Sequence, residues 1–181
     1  MPVHVPREYI PGEARYVTEF IQFFYPGKRF RVPFRMGIHP LVKDEDLAAF
    51  PDLHRWKGVW ADADGCVWWD RQAVIIEGKL RTGTFGAGLA ALENYELLWP
   101  MTPILREANT DTVTMMLVTP VESPLISLKC YQKGYRNVVW KPIWYDEFVK
   151  RYPVAYKTVP EVEVRLAQLL EGKLKYPTTP H

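Results

Sequence analysis

Residues 60–80 read WADADGCVWWDRQAVIIEGKL, and the way this stretch pairs with itself decides the fold. Two runs rich in β-branched and aromatic residues, 56–69 and 73–80, are separated by Asp70, Arg71 and Gln72, the pattern of a β-hairpin. With Arg71-Gln72 as a two-residue turn, Asp70 faces Ala73, Cys66 faces Glu77 and Asp64 faces Lys79. Directly opposed residues share a face, and side chains alternate along each strand. Asp62, Asp64, Glu77 and Lys79 are therefore expected to project together, at the end of the hairpin away from its turn. A three-residue loop without a bulge breaks that parity. An apolar strand such as Val74-Ile75-Ile76 has no structural need to end in Glu-Gly-Lys, so those last residues call for a chemical reason.

Outward from the hairpin, residues 12–24 carry Tyr16, Phe20, Phe23 and Phe24 at helical spacing, with Pro26-Gly27 as a stop. Residues 28–35 alternate basic and apolar side chains, which predicts a strand that Pro33 confines to an edge or ends early. Residues 39–54 form a polar connector with a short helix over 44–50. Beyond the hairpin, a Gly-rich loop (Gly83, Gly86, Gly88) leads into a helix over 89–99. A strand over 112–118, a helix over 124–133, a short strand over 137–140 and a helix over 161–170 follow. This order predicts an α/β (α+β) chain with a central mixed sheet of four to five strands flanked by helices. No repeat or linker divides it, so one domain over 1–181 is expected. Its core spans about 12–145, and a helical, aromatic extension occupies 146–181.

Hydrophobic residues at 48% and aromatics at 14% exclude a disordered chain. Twenty-three basic residues against 21 acidic leave a net charge of +2, which neither demands nor excludes a nucleic-acid partner. No apolar run approaches a membrane span, so no membrane partner is expected, and the start MPVHVPREYIPGE lacks the apolar stretch of a signal peptide. Cys66 and Cys130 show no CxxC spacing, and His4, His39, His54 and His181 have no metal-like spacing. A reducing cytoplasm is the expected location. The run Gly83-Thr84-Phe85-Gly86-Ala87-Gly88 lacks both the Gly-Lys-Ser/Thr ending of a P-loop and the GxGxxG order of a dinucleotide fingerprint.

Two carboxylates with nearby backbone carbonyls make a hard oxygen site suited to Mg²⁺ or Mn²⁺. A lysine beside them adds a cation to orient a nucleophile or to stabilise charge on a phosphate. The pattern Ala63-Asp64-Gly65-Cys66-Val67-Trp68-Trp69, a turn, then Val74-Ile75-Ile76-Glu77-Gly78-Lys79 resembles the PD-(D/E)XK nuclease superfamily. Ala63 stands where that motif has its Pro. The helix from Leu89 and the strand from Val113 fall where that family's next helix and strand fall, so the likeness covers roughly residues 12–145.

The resemblance implies a restriction-endonuclease-like core and hydrolysis of DNA phosphodiester bonds by activated water. It assigns Asp64 and Glu77 to the metal, with Asp62 as a further candidate ligand, and Lys79 to the catalytic lysine. An acidic residue on the first helix often assists in that family, and Glu19 is the candidate here. Arg29, Arg31 and Arg35, in a basic strand with Lys28, and Arg81 after the hairpin are the candidate DNA contacts. The same fold serves non-catalytic roles in head-completion and neck proteins of tailed phages. A virion component or homo-oligomer is thus the alternative, with Trp144, Tyr145, Phe148, Tyr152 and Tyr156 as its docking surface.

Overall fold

The computed structural model describes residues 12–151 and 161–175. Its centre is a mixed five-stranded sheet in the order β1-β4-β5-β6-β7, formed by Arg29–Arg31, Gly65–Trp69, Gln72–Gly78, Thr112–Thr119 and Arg136–Val139. Strand β4 runs antiparallel to β1 and β5, while β6 runs parallel to β5 and β7. Strands β2 (Phe34–Gly37) and β3 (Trp60–Ala63) form a separate antiparallel ribbon. The basic strand thus divides at Pro33, which cannot donate to a ladder.

The apolar run Ala73-Val74-Ile75-Ile76 is continuous because β5 is covered on both faces. On one face Cys66, Ile75, Met115 and Leu117 pack against Phe85, Leu89, Leu92 and Tyr95 of helix α2 (Phe85–Leu98). Phe34, Met36 and Ala63 of the ribbon join that layer. On the other face Val67, Val74, Ile76, Met116 and Val118 meet Tyr16, Val17, Phe20 and Ile21 of helix α1 (Glu13–Phe24). Tyr145, Phe148 and Val149 of α5 (Tyr145–Arg151) complete that side. Helices α3 (Pro103–Glu107), α4 (Pro124–Lys133) and α6 (Glu161–Lys175) complete the α-helices among the described residues, and the short helix expected over 44–50 is a 3-10 turn over Asp44–Leu47. None of these helices is long and apolar enough to cross a membrane.

Two glycines let α1 settle on the sheet. A Cβ on Gly65 would lie 2.7 Å from Cγ1 of Val17, and one on Gly78 would lie 2.5 Å from its Cγ2. Val17 therefore fills the gap between the open ends of β4 and β5, which places the first turn of α1 above that end.

Several expectations shift. The hairpin turns at Asp70-Arg71, so Trp69 pairs with Gln72 and Cys66 with Ile75. Asp70 takes φ +48, a left-handed conformation that Asp tolerates better than most residues. The register moves by two residues, so parity survives, and continuing it places Asp64 opposite Glu77 rather than Lys79. The Gly-rich stretch from Phe85 is the first turn of α2, not a loop. The aromatic extension is not the exposed surface expected: Tyr145 and Phe148 are buried, and Trp144 packs against the same core. Tyr152 and Tyr156 lie outside the described residues.

Candidate active site

Asp64 occupies the bend between β3 and β4, where its Oδ2 accepts from the Gly78 N–H at 2.9 Å. That bond pins the open end of the hairpin. Glu77 lies at the end of β5 with its side chain on the α2 face, and it is 5% exposed. The Lys79 backbone continues the parallel ladder by donating to the Val118 carbonyl. Its side chain therefore leaves at the carboxyl end of β5 and β6, the end where ligands bind in open α/β sheets.

Three carboxylates from three elements surround the Lys79 ammonium. Glu77 Oε1 lies 2.7 Å from Nζ, Glu13 Oε2 3.3 Å and Asp64 Oδ2 3.5 Å. Glu13 is the first residue of α1, one turn before Val17, so the helix that rests on Gly65 and Gly78 delivers it. Helix α2 closes the site from the other side. A Cβ on Gly88 would lie 2.9 Å from Cγ of Lys79 and 3.5 Å from Cγ of Glu77, so a bare backbone is needed there. Seven residues on, the Tyr95 hydroxyl lies 2.9 Å from Glu77 Oε2 and 2.9 Å from the Asp62 carbonyl oxygen.

The electrostatics follow from that crowding. Burial, then the charge of Asp64, raises the Glu77 carboxyl against the pull of Lys79 and Tyr95. Burial also raises Glu13, opposed first by Lys79. Burial would lower Lys79, but its hydrogen bond to Glu77 and the charges of Asp64, Glu77 and Glu13 outweigh it and hold the ammonium up at about 12. Tyr95 is pushed well above the ordinary phenol range by burial and then by Glu77. The Tyr95 hydroxyl has one proton for two acceptors. It bonds both only when Glu77 is protonated and donates to it; against an ionised Glu77 it serves one of the two.

The hard oxygen donors suit Mg²⁺ or Mn²⁺, and three carboxylates against one ammonium leave uncompensated negative charge when all are ionised. In chemistry the set fits such a cation. Among the described residues, though, no group of three or more His, Cys, Asp or Glu side chains is spaced as a preformed metal cage. The carboxylates converge on the ammonium instead.

The other expected residues lie elsewhere. Glu19 is not at the cluster: it accepts from Arg15 Nε at 2.6 Å and Trp144 Nε1 at 2.6 Å, and Glu13 takes the expected place. Asp62 is carried off the common face because the bend at Asp64 peels β3 into the ribbon. Its exposed carboxylate pairs with Arg35 Nε at 3.3 Å, and the Arg35 guanidinium lies over the Trp60 ring. Arg31 faces Cys66 across the β1–β4 ladder, and Arg29 faces Trp68, farther from Asp64. Arg81 is exposed and close enough for its charge to act on Glu13. Both cysteines are free and buried, and burial pushes the Cys66 thiol up.

Glu13 was recoverable from the sequence. At about 100° per residue it lies within about 10° of the centre of the Tyr16, Val17, Phe20 and Ile21 stripe, whereas Glu19 lies about 130° away. Tyr95 stands seven residues after Gly88, hence on the same helix face. No protein-family model, curated protein or solved structure matches this chain.

Proposed function

We propose that this chain is a divalent-metal-dependent nuclease that hydrolyses DNA phosphodiester bonds on a restriction-endonuclease-like core. The observation that carries the reading is the convergence of Glu13, Asp64 and Glu77 on Lys79 at the carboxyl end of β5 and β6. A fold has no need to gather three carboxylates around one largely buried ammonium at a strand end, because the desolvation of such charges opposes folding. Asp64 and Glu77, with Glu13 in reach, supply the oxygens for Mg²⁺ or Mn²⁺. The ion, when bound, lowers the pKa of water and offsets charge on the phosphate. Glu77 is held in place through Tyr95. Lys79 presents its ammonium to the attacking water or to a phosphate oxygen. Arg81 and Arg31 are the cations that receive the flanking backbone.

The deciding experiment is incubation of the purified protein with plasmid and with single-stranded DNA, in Mg²⁺, Mn²⁺ or EDTA. Metal-dependent cleavage is expected, with Lys79→Ala and Glu77→Ala inactive. Cleavage that persists in both variants, or none in the wild type with either metal, overturns the reading. One observation favours a non-catalytic component of a virion or homo-oligomer: Phe23 and Phe24 are 70% and 45% exposed and meet edge to face at the end of α1. A defined oligomer that dissociates in Phe23→Ser, together with absent cleavage, selects that alternative.

A further inference from the structure

At the closed end of the β4–β5 hairpin, opposite the carboxylate cluster, lies a cleft of about 500 Å³. That volume falls in the range of small-molecule sites. Its walls include Lys28, Arg29, Trp68, Trp69 and Asp70. Arg29 stands directly across the β1–β4 ladder from Trp68, and the Lys28 ammonium lies 5.5 Å from the centroid of the Trp69 ring. Among the described residues neither Lys28 nor Arg29 pairs with a carboxylate, whereas Arg35, Arg71, Arg106 and Lys133 all do. Trp68 and Trp69 point to opposite faces of the sheet, so Arg29 stands beside the first and Lys28 beside the second, and each side of the strand end joins a cation without a carboxylate partner to a partly exposed indole. A bare polyanion meets the cations but not the indoles, and it is repelled by Asp70. A nucleotide meets all three kinds of group: its phosphate suits Lys28 or Arg29, its base suits the neighbouring indole, and an N–H donor of the base suits the Asp70 carboxylate.

We infer that this cleft is a second nucleic-acid subsite that takes a nucleotide of a single strand. The strand is single because a base in a duplex is already stacked on its neighbours. Four residues of strand separate Trp68 from Asp64, about 13 Å. Arg31, opposite Cys66, lies between the two ends. Chain held in the cleft therefore follows β1 toward Lys79. The inference rests on the nuclease reading for the substrate's identity, but not on cleavage.

The test measures binding in EDTA, so that no strand is cut, with a labelled oligothymidylate of about 12 nucleotides, a length within single-strand site sizes. Competitors are an abasic oligomer of equal length, a blunt duplex and thymidine monophosphate. Stacking of one base is worth about 1–3 kcal/mol, so the oligothymidylate should bind about 5- to 150-fold tighter than the abasic chain. Arg29→Glu and Lys28→Glu, both on the surface, should each weaken it about tenfold. The slope of log affinity against log salt should fall by about 0.7 for each contact removed. Trp69→Ala also touches Tyr25, so its melting temperature is read beside its affinity. Equal affinity for the abasic chain overturns the inference in favour of a polyanion or acidic-peptide site. Equal affinity for the monophosphate, or indifference to both charge reversals, also overturns it. Strand binding without cleavage counts against the nuclease reading alone, and cleavage without strand binding counts against the cleft alone.

Discussion

Lys79 holds together three groups that repel one another. Removal of Lys79 leaves Glu13, Asp64 and Glu77 facing each other without compensation, a loss on the order of 3 kcal/mol for a largely buried partner. Lys79→Ala is therefore expected to melt several degrees below wild type in EDTA at pH 8. Mn²⁺ or a lower pH should recover much of that deficit, whereas an ordinary packing defect responds to neither. The wild type has its own pH signature. Glu13 and Glu77 are both raised above the ordinary 4.5, so the folded state holds their protons more tightly than the unfolded state. Their contribution is fully present below pH 4.5 and is lost as pH rises through the raised values. Asp44 and Asp52 are lowered from 3.8 and act below that window. The slope of melting temperature against pH, taken above pH 5 in EDTA, should be negative for these two groups and shallower in Glu77→Gln. A Glu77→Gln slope as steep as wild type discards this account. Tyr95→Phe strips the hydroxyl from the buried Glu77 carboxyl and leaves the part-buried Asp62 carbonyl without that donor, costing about 1–3 kcal/mol. Thermal melts should also show a smaller Mn²⁺-induced shift in this variant.

Helix α2 and helix α1 position the cluster by opposite means. Gly88 lets α2 touch the aliphatic parts of Lys79 and Glu77, and its added Cβ would also lie 2.8 Å from Cδ1 of Leu117. Gly86, two residues earlier, faces open space. Gly86→Ala should stabilise by about 0.5–1 kcal/mol, as expected of an exposed helical glycine. Gly88→Ala should destabilise by about 1–3 kcal/mol through overpacking. It should also reduce cleavage more than a surface variant of equal melting temperature does. Equal behaviour of the two alanines in chemical denaturation contradicts this packing. The same elements show how far residues alone could lead. The hairpin was legible because its two β-branched and aromatic runs are long and the turn between them is short. Its register was not, because Asp70-Arg71 and Arg71-Gln72 both make two-residue turns, and only the tolerance of Asp70 for positive φ separates them. The phase of α1 was misjudged toward its aromatics. Phe23 and Phe24 look like core but end up exposed, while Val17 and Ile21 carry the packing on Gly65 and Gly78. Periodicity shows a stripe exists, yet which edge of it meets glycine is a tertiary fact.

On the scale of the whole molecule, the parallel strands β5 and β6 end where the first turns of α1 and α2 meet. Negative charge gathers there while exposed cations flank it, Arg31 on the edge strand β1 and Arg81 after β5. A net charge of +2 gives no long-range pull toward DNA, so the proposed function requires any attraction to be local to that rim. Metal bound by the cluster and absent from the unfolded chain stabilises by mass action, about 2.7 kcal/mol at a hundredfold excess over Kd. For a chain of 181 residues this amounts to a rise of about 5–10 °C in melting temperature. Glu77→Ala should abolish the rise if, as proposed, its carboxylate is a metal ligand oriented by Tyr95. Duplex binding should weaken with salt, and Arg31→Glu and Arg81→Glu should each flatten the log–log slope by about one unit. Arg35→Glu should have a smaller effect, since that guanidinium is engaged with Asp62 and Trp60. The order of these three variants places the DNA relative to the cluster, independently of whether a bond is cut. If wild type gains nothing from Mn²⁺ and all three reversals leave duplex affinity unchanged, the carboxylates serve only Lys79. The exposed Phe23 and Phe24 then become the functional surface.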